Sequence, residues 1–434
     1  GTARYEGTNR MGKSRSARWL PTWNVSGAWN AHEEKFFSNL TSVLSHFTLK
    51  ASYSLTADRG PADVTNSQAI ITSYSPYRPF TSIQESGLYI KELENSELTY
   101  EKKHELNIGA DMGFLNNRIN LAVDWYKRNN YDLIGIVNTQ GAGGQILKYA
   151  NIASMKSHGI EFTLSTKNIK TKDFNWNTDF IFSNAKNEVT DLKQNANVME
   201  LISGNGFAKQ GYPVRGLFSI PFVGLDKDGI PVIINEKGEA TSTDINFQER
   251  QNTGFLKYEG PTDPTITGSL GNMFSYKGFR LNLFITYSFG NVIRLNPVFK
   301  AYYSDLTAMT REFKNRWTLP GDEAKTNVPA ILSKRMYDSN EDLKYAYNAY
   351  NYSTERIAKG DFIRLKEISL AYDFPKAWIN PLKLTDLSLK VQATNLFLIY
   401  ADDKLNGQDP EFFNAGGVAS PVPRQFTITL RLGL

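Results

Sequence analysis

The chain has 434 residues, no cysteine, and 49 lysines and arginines against 44 aspartates and glutamates. Missing cysteine excludes disulfides, thiol nucleophiles and cysteine-held zinc or iron–sulfur centres, and a net charge of +5 gives no case for nucleic-acid binding. Mean hydropathy is −0.41, and no apolar run approaches the roughly 20 residues of a spanning helix; a helical membrane protein is excluded, whereas a β-barrel is not, because alternation dilutes its hydropathy. The opening residues, GTARYEGTNRMG, contain neither an initiator methionine nor an apolar leader, and read as a mature or cut piece.

Eleven segments alternate apolar and polar residues with the two-residue period of a strand. The first sets Trp19, Trp23, Val25 and Trp29 against Thr22, Asn24, Ser26 and Asn30. The second sets Phe47, Leu49, Ala51, Tyr53 and Leu55 against Thr48, Lys50, Ser52 and Ser54. The third has Leu106, Ile108, Ala110 and Met112 against Glu105, Asn107, Gly109 and Asp111; the fourth has Ile119, Leu121, Val123 and Trp125 against Asn120, Ala122, Asp124 and Tyr126. Ile160, Phe162 and Leu164 mark the fifth, and Phe174, Trp176, Phe180 and Phe182 the sixth, opposite Asn175, Asn177, Asp179 and Ser183. The seventh, near 265–276, is weaker and carries several glycines. The eighth is clear, with Phe279, Leu281, Leu283, Ile285, Tyr287 and Phe289 against Arg280, Asn282, Thr286 and Ser288. Ile368, Leu370, Tyr372 and Phe374 form the ninth; Leu387, Leu389, Val391 and Ala393 form the tenth, against Ser388, Lys390, Gln392 and Thr394. The last places Phe426, Ile428, Leu430, Leu432 and Leu434 on one face and Thr427, Thr429, Arg431 and Gly433 on the other.

The connections alternate in length. Tight turns fall at 115–118 and 277–278, modest ones at 167–173 and 375–386, and long polar stretches at 57–103, 129–157, 185–264, 291–361 and 396–424. Loops that long are uncommon in compact soluble domains. Short turns at one end and long loops at the other are the pattern of an outer-membrane barrel. The expected fold is therefore all-β: an antiparallel transmembrane β-barrel with short periplasmic turns and long extracellular loops. Its apolar face meets lipid, and Lys50, Asp111, Asp124, Asp179, Arg280, Lys390 and Arg431 face a wet lumen. The terminal strand is expected to close the sheet by pairing with the first. Trp19, Trp29, Trp125, Tyr126, Tyr287, Phe374 and Tyr400 suit interface belts. The final strand follows a long loop and so descends to the periplasm; counting back, the first also descends, which places the segment before Trp19 in an extracellular loop. An odd number of strands is not a complete bacterial barrel, so the whole of 1–434 is expected to be part of a larger one. The alternative is a soluble or surface carbohydrate-binding β-sandwich or adhesin.

Chemistry-bearing motifs are few. His32, His46, His104 and His158 lie on different segments without metal-ligand spacing and read as surface or turn histidines. The Asp226–Asp228–Gly229 stretch resembles the start of a calcium loop but lacks the remaining ligands, so a turn is expected. The Gly141, Gly143 and Gly144 run has no following Lys-Ser/Thr pair and reads as a flexible loop. Asp409 and Glu411 offer paired carboxylates, with loop packing as the expected use. The segment 345–352 presents Tyr345, Tyr347, Asn348, Tyr350, Asn351 and Tyr352, which suit stacking and hydrogen bonding to a sugar or peptide, or packing against neighbouring loops. No convergent acid, base or nucleophile set appears, so no enzyme, metal or cofactor is expected.

Several blocks together resemble the C-terminal half of SusC/RagA-type TonB-dependent transporters. ARYEGTNRMG (3–12) is similar to the family's RYDGSSRFG-like loop, with Glu6 where aspartate is usual. WNVSGAWNAHEEKFF (23–37), LTYEKKHELNIGADMGFLNNRINLAVDWYKRNNYDLI (98–134) and MKSHGIEFTL (155–164) resemble successive family strands. GDFIRLKEISLAYDFP (360–375), ATNLFLIY (393–400) and GQDPE (407–411) resemble its "YLRLKNISLGYTLP", "QNLFTWT" and "GxDPE" elements. Leu434 stands where the family usually has an aromatic residue. The resemblance implies about eleven of some 22 strands, with the plug domain, the TonB-contacting box and the first strands outside this sequence. It also implies outer-membrane import of a glycan oligomer or peptide, energised by TonB–ExbB–ExbD, with a SusD-like surface lipoprotein as lid.

Overall fold

The computed structural model describes residues 1–434 except 61–67, 78–84, 142–145, 299–308, 341 and 414–422. Its main element is a twelve-stranded sheet whose strands are hydrogen-bonded in chain order, each antiparallel to the next. They are β1 (Thr2–Gly7), β2 (Trp19–Asn30), β3 (Leu44–Asp58), β4 (Glu101–Phe114), β5 (Ile119–Asn138), β6 (Leu147–Lys170), β7 (Phe174–Leu192), β8 (Ile266–Tyr276), β9 (Phe279–Phe289), β10 (Phe362–Asp373), β11 (Asp386–Ala401) and β12 (Gln425–Gly433).

All eleven alternating segments are strands of this sheet. The twelfth, β1, occupies the segment expected to be an outer loop: Thr2 pairs with Asn24 and Gly7 with Trp19. This corrects both the loop assignment and the odd strand count. β1 gives little periodic signal because Tyr5 is its one large apolar side chain; that ring stacks on Trp19 at 5.2 Å. β5, β6 and β7 run to 20, 24 and 19 residues, about twice the 9–11 that a tilted strand needs to cross a bilayer. Their far halves carry polar residues on both faces, so alternation of hydropathy ends where the strand does not. The loop expected at 129–157 shrinks to 139–146.

Register aligns the apolar positions into rows. Phe47, Met112, Leu121, Leu164, Phe180, Leu270, Ile285, Leu365 and Phe397 stand opposite one another across nine successive strands. Nothing packs over this face as a second sheet: the other described sheets have two or three strands. Val25, Ile108, Val391 and Ile428 remain exposed. A band of that extent, uncovered by protein, is what hydrocarbon covers in a membrane barrel. Between β4 and β5 the tight turn holds Leu115, Asn116 and Asn117 at φ 50–56°, and between β8 and β9 Lys277 and Gly278 both have positive φ, the geometry that matches strand twist in a short hairpin.

The largest described core lies in the long connections at the opposite end. Val198, Leu201, Ile202, Phe218, Ile220, Ile233 and Ala349 bury one another there. The stretches after β7 and β9 fold together: Ile220 donates its amide to Tyr352 and accepts from Thr354 at 3.1 and 3.0 Å, and Val292–Arg294 pairs with Ile357–Lys359.

Candidate functional site

The face opposite the apolar band carries the chemistry. Six of its cations each find a carboxylate across or along the sheet. Lys50 meets Asp111 at 2.5 Å, Arg128 meets Glu105 at 3.1 Å and Arg280 meets Asp373 at 2.8 Å. Lys390 lies 3.8 Å from Glu367, and Arg431 lies 3.8 Å from Asp386. Arg364 is held by Asp409 at 2.5 Å and Glu411 at 3.3 Å. Asp179 accepts from Ser165 at 2.6 Å, and Asp124 stands opposite Glu161 in register. The seven residues expected on a polar wall are thus on one face. Asp373, Glu367 and Asp386, the partners of Arg280, Lys390 and Arg431, show only once register is known, because strand pairing and not sequence spacing brings them together.

The Asp409–Pro410–Glu411 carboxylates serve packing. Arg364 is 4% exposed on β10, and Asp409 folds the connection between β11 and β12 back over it. Asp409 also accepts from the Glu411 amide, capping the short turn that holds both acids in place.

Inside the connections, Arg294 is the central strut. Its guanidinium donates to the carbonyls of Ser353 at 2.9 Å, Ile202 at 3.2 Å and Phe218 at 2.6 Å, tying three segments far apart in sequence. Burial pulls its pKa down to about 9, with nearby Glu259 pulling the other way, so the group stays charged at neutral pH. Arg356, equally buried, pairs with Glu312 and donates to the Asn296 carbonyl at 2.8 Å.

The tyrosine-rich segment forms the helix Leu343–Asn351, whose alanines at 346 and 349 let it lie close to its neighbours. Tyr347 and Tyr350 are fully buried. Tyr347 donates to the Ala330 carbonyl at 2.9 Å, and Tyr350 packs edge-on to Phe222 at 5.5 Å. Burial pushes the Tyr350 phenol up from 10.0 to about 12, while the Arg356 charge pulls it down. Asn351 is buried and accepts from the Val298 amide at 3.1 Å, and Tyr352 lies under Arg294 at 5.8 Å. Of the segment, Tyr345 is exposed, and Asn348 and Tyr352 are partly so. The six residues are therefore not one presented surface: helical period turns three inward.

Asp226 closes a hairpin turn. Its carboxylate accepts from Asp228 and Ile230, both at 2.9 Å, and Gly229 has φ +75°. Gly143 and Gly144 lie outside the described residues. His32 and His46, distant in sequence, meet at 4.3 Å between ring centroids; among the described residues no group of three or more metal-binding side chains occurs. The terminal-strand residues Phe426, Ile428, Leu430 and Leu432 share one exposed face of β12, whose described partner is β11 alone; Leu434 follows the strand, also exposed.

No family model matches the chain. The TonB-dependent receptor P3 of Formosa agariphila is 25% identical over 430 residues, covering 94% of this chain and 40% of the receptor. The TonB-dependent receptor SusC of Bacteroides thetaiotaomicron is 26% identical over 460 residues, covering all of this chain and 41% of SusC. Among solved structures, the RagAB peptide importer in its open-open state superposes with a TM-score of 0.77 at 23% identity, covering the whole chain and 44% of its counterpart. This is a SusC/RagA-like chain. The match runs along its full length in one order, through strands and connections alike. The sheet thus shares the fold of the corresponding part of these relatives, and it carries an uncovered apolar face and a charge-paired polar face. The chain spans 40–44% of the length of the curated relatives it matches.

Proposed function

We propose that this chain is the C-terminal part of the barrel wall of an outer-membrane importer that takes up a peptide or glycan oligomer and is energised through TonB. The observation that carries this reading is the uncovered apolar band backed by a polar face of paired charges. The solved RagAB structure is named a peptide importer, which supports the peptide alternative. A plug domain and the remaining strands, supplied by the rest of the polypeptide, complete the barrel against β1 and β12 and carry the contact to TonB–ExbB–ExbD. The turns at 115–118 and 277–278 and the end of β12 face the periplasm; the folded connections face outward, where a SusD-like lipoprotein covers them. Within 345–352, Tyr345, Asn348 and Tyr352 are the residues left to touch cargo or lid. The chain makes and breaks no bond.

Single-cysteine labelling tests the arrangement. In intact cells a membrane-impermeant maleimide should label Lys227→Cys in the folded connections and leave Asn116→Cys untouched until the envelope is opened. Labelling of both, or of Asn116→Cys alone, overturns the orientation. Heat-dependent gel migration of the full-length protein checks the barrel itself.

A further inference from the structure

The lipid face ends, on the side of the long connections, in a row of bases. Lys127 on β5 stands opposite His158 on β6, and His158 stands opposite Lys186 on β7. All three are exposed. Parity places them on the apolar face: one row nearer the turns are Trp125 and Ile160, then Val123, Phe162 and Phe182. Among the described residues none of the three has a carboxylate at ion-pair distance. The next row outward differs, because there Lys156 is neutralised by Glu188 at 3.0 Å. Lys127 and Lys186 flank His158 in this row, so two unneutralised lysine charges with a ring donor between them are open to an anion from outside. Lys127 lies eight residues along β5 from its start, about 20 Å up a strand tilted near 40°, close to the upper rim of a lipid-facing band of about 25 Å. A soluble anion has no reason to settle beside Trp125 and Ile160, whereas a molecule with acyl chains below and phosphate above fits both halves.

We propose that Lys127, His158 and Lys186 form a docking site for the phosphorylated headgroup of an outer-leaflet glycolipid, its acyl chains lying against Trp125, Ile160 and Phe162. This rests on the barrel reading and orientation above. Each lysine contributes as a point charge and His158 as a hydrogen-bond donor that strengthens when protonated.

The test uses the full-length transporter in detergent, with native mass spectrometry after exposure to a bis-phosphorylated lipid A or its dephosphorylated form. The parent should retain the phosphorylated lipid at least tenfold more than the dephosphorylated one. The triple variant Lys127→Gln, His158→Gln, Lys186→Gln should lose that preference, while Lys156→Gln should keep most of it. Equal retention by parent and triple variant overturns the site, as does displacement by millimolar inorganic phosphate as effective as displacement by lipid. Heat-dependent migration, measured on the same samples, separates the two levels: a normal shift with no lipid preference rejects the lipid site alone, whereas no shift in the parent rejects the barrel reading and this site with it.

Discussion

Two buried residues set the sharpest expectations at the scale of single side chains. Arg364 and Asp409 are 5% and 9% exposed at their side chains and hold each other at 2.5 Å. Removing Asp409 leaves buried Arg364 only the half-exposed Glu411 at 3.3 Å, which costs part of the roughly 3–5 kcal/mol of an unpaired buried charge, whereas replacing both with apolar residues costs much less. Asp409→Ala should therefore abolish hydrogen-exchange protection of 402–413, and the double variant Arg364→Met, Asp409→Leu should recover much of it; equal loss in both would contradict the pairing. Tyr350 gives a pH signature. Its phenol titrates at about 12 in the folded chain against an ordinary 10.0, so between those values the unfolded chain releases a proton that the folded chain keeps. Stability falls as pH rises through that window and is unaffected below it. Melting of the folded connections, followed at pH 9 and pH 11, should show a drop that Tyr350→Phe reduces, with Tyr258, also pushed up by burial, supplying part of the remainder.

At the scale of elements, the two faces of one strand should respond oppositely to charge. Phe162 and Thr163 are neighbours on β6; Phe162 stacks on Phe182 at 4.9 Å within the apolar band, and Thr163 points the other way. Phe162→Arg should cost about 2–4 kcal/mol in refolding from urea into lipid vesicles, and Thr163→Arg far less; equal costs would place lipid on neither side. Alternation made these strands readable, since a half-wetted strand writes its environment into every second residue. It failed at β1, where Tyr5 is the one large apolar residue, and in the outer halves of β5, β6 and β7, where water wets both faces and no period remains. The connections were legible as long but not as folded. Their core draws on Ile202, Phe218, Ile233 and Ala349, which no local pattern links, and on Arg294, whose three acceptors are backbone carbonyls with no residue code. Helical period was present in 345–352, yet the aromatic composition drew attention first, and burial of Tyr347 and Tyr350 depends on which loop packs there.

For the whole molecule, the sheet is an up-and-down meander whose outer edges, on β1 and β12, have no partner among the described residues. Open edges with an apolar face invite uncontrolled pairing. Residues 1–434 expressed alone should give no heat-resistant, protease-resistant species in detergent, whereas co-refolding with the remainder of a full-length relative should give one; a discrete closed particle from these residues alone would refute the partial-wall reading. The ladder of ion pairs on the polar face has a kinetic consequence. Cations that already hold a neighbour's carboxylate project little far field into the conduit, so cargo meets close-range donors and acceptors and is not drawn in from a distance. Capture rates should then change little as ionic strength rises from 20 to about 200 mM, because long-range steering, the contribution that salt screens, is small from the outset.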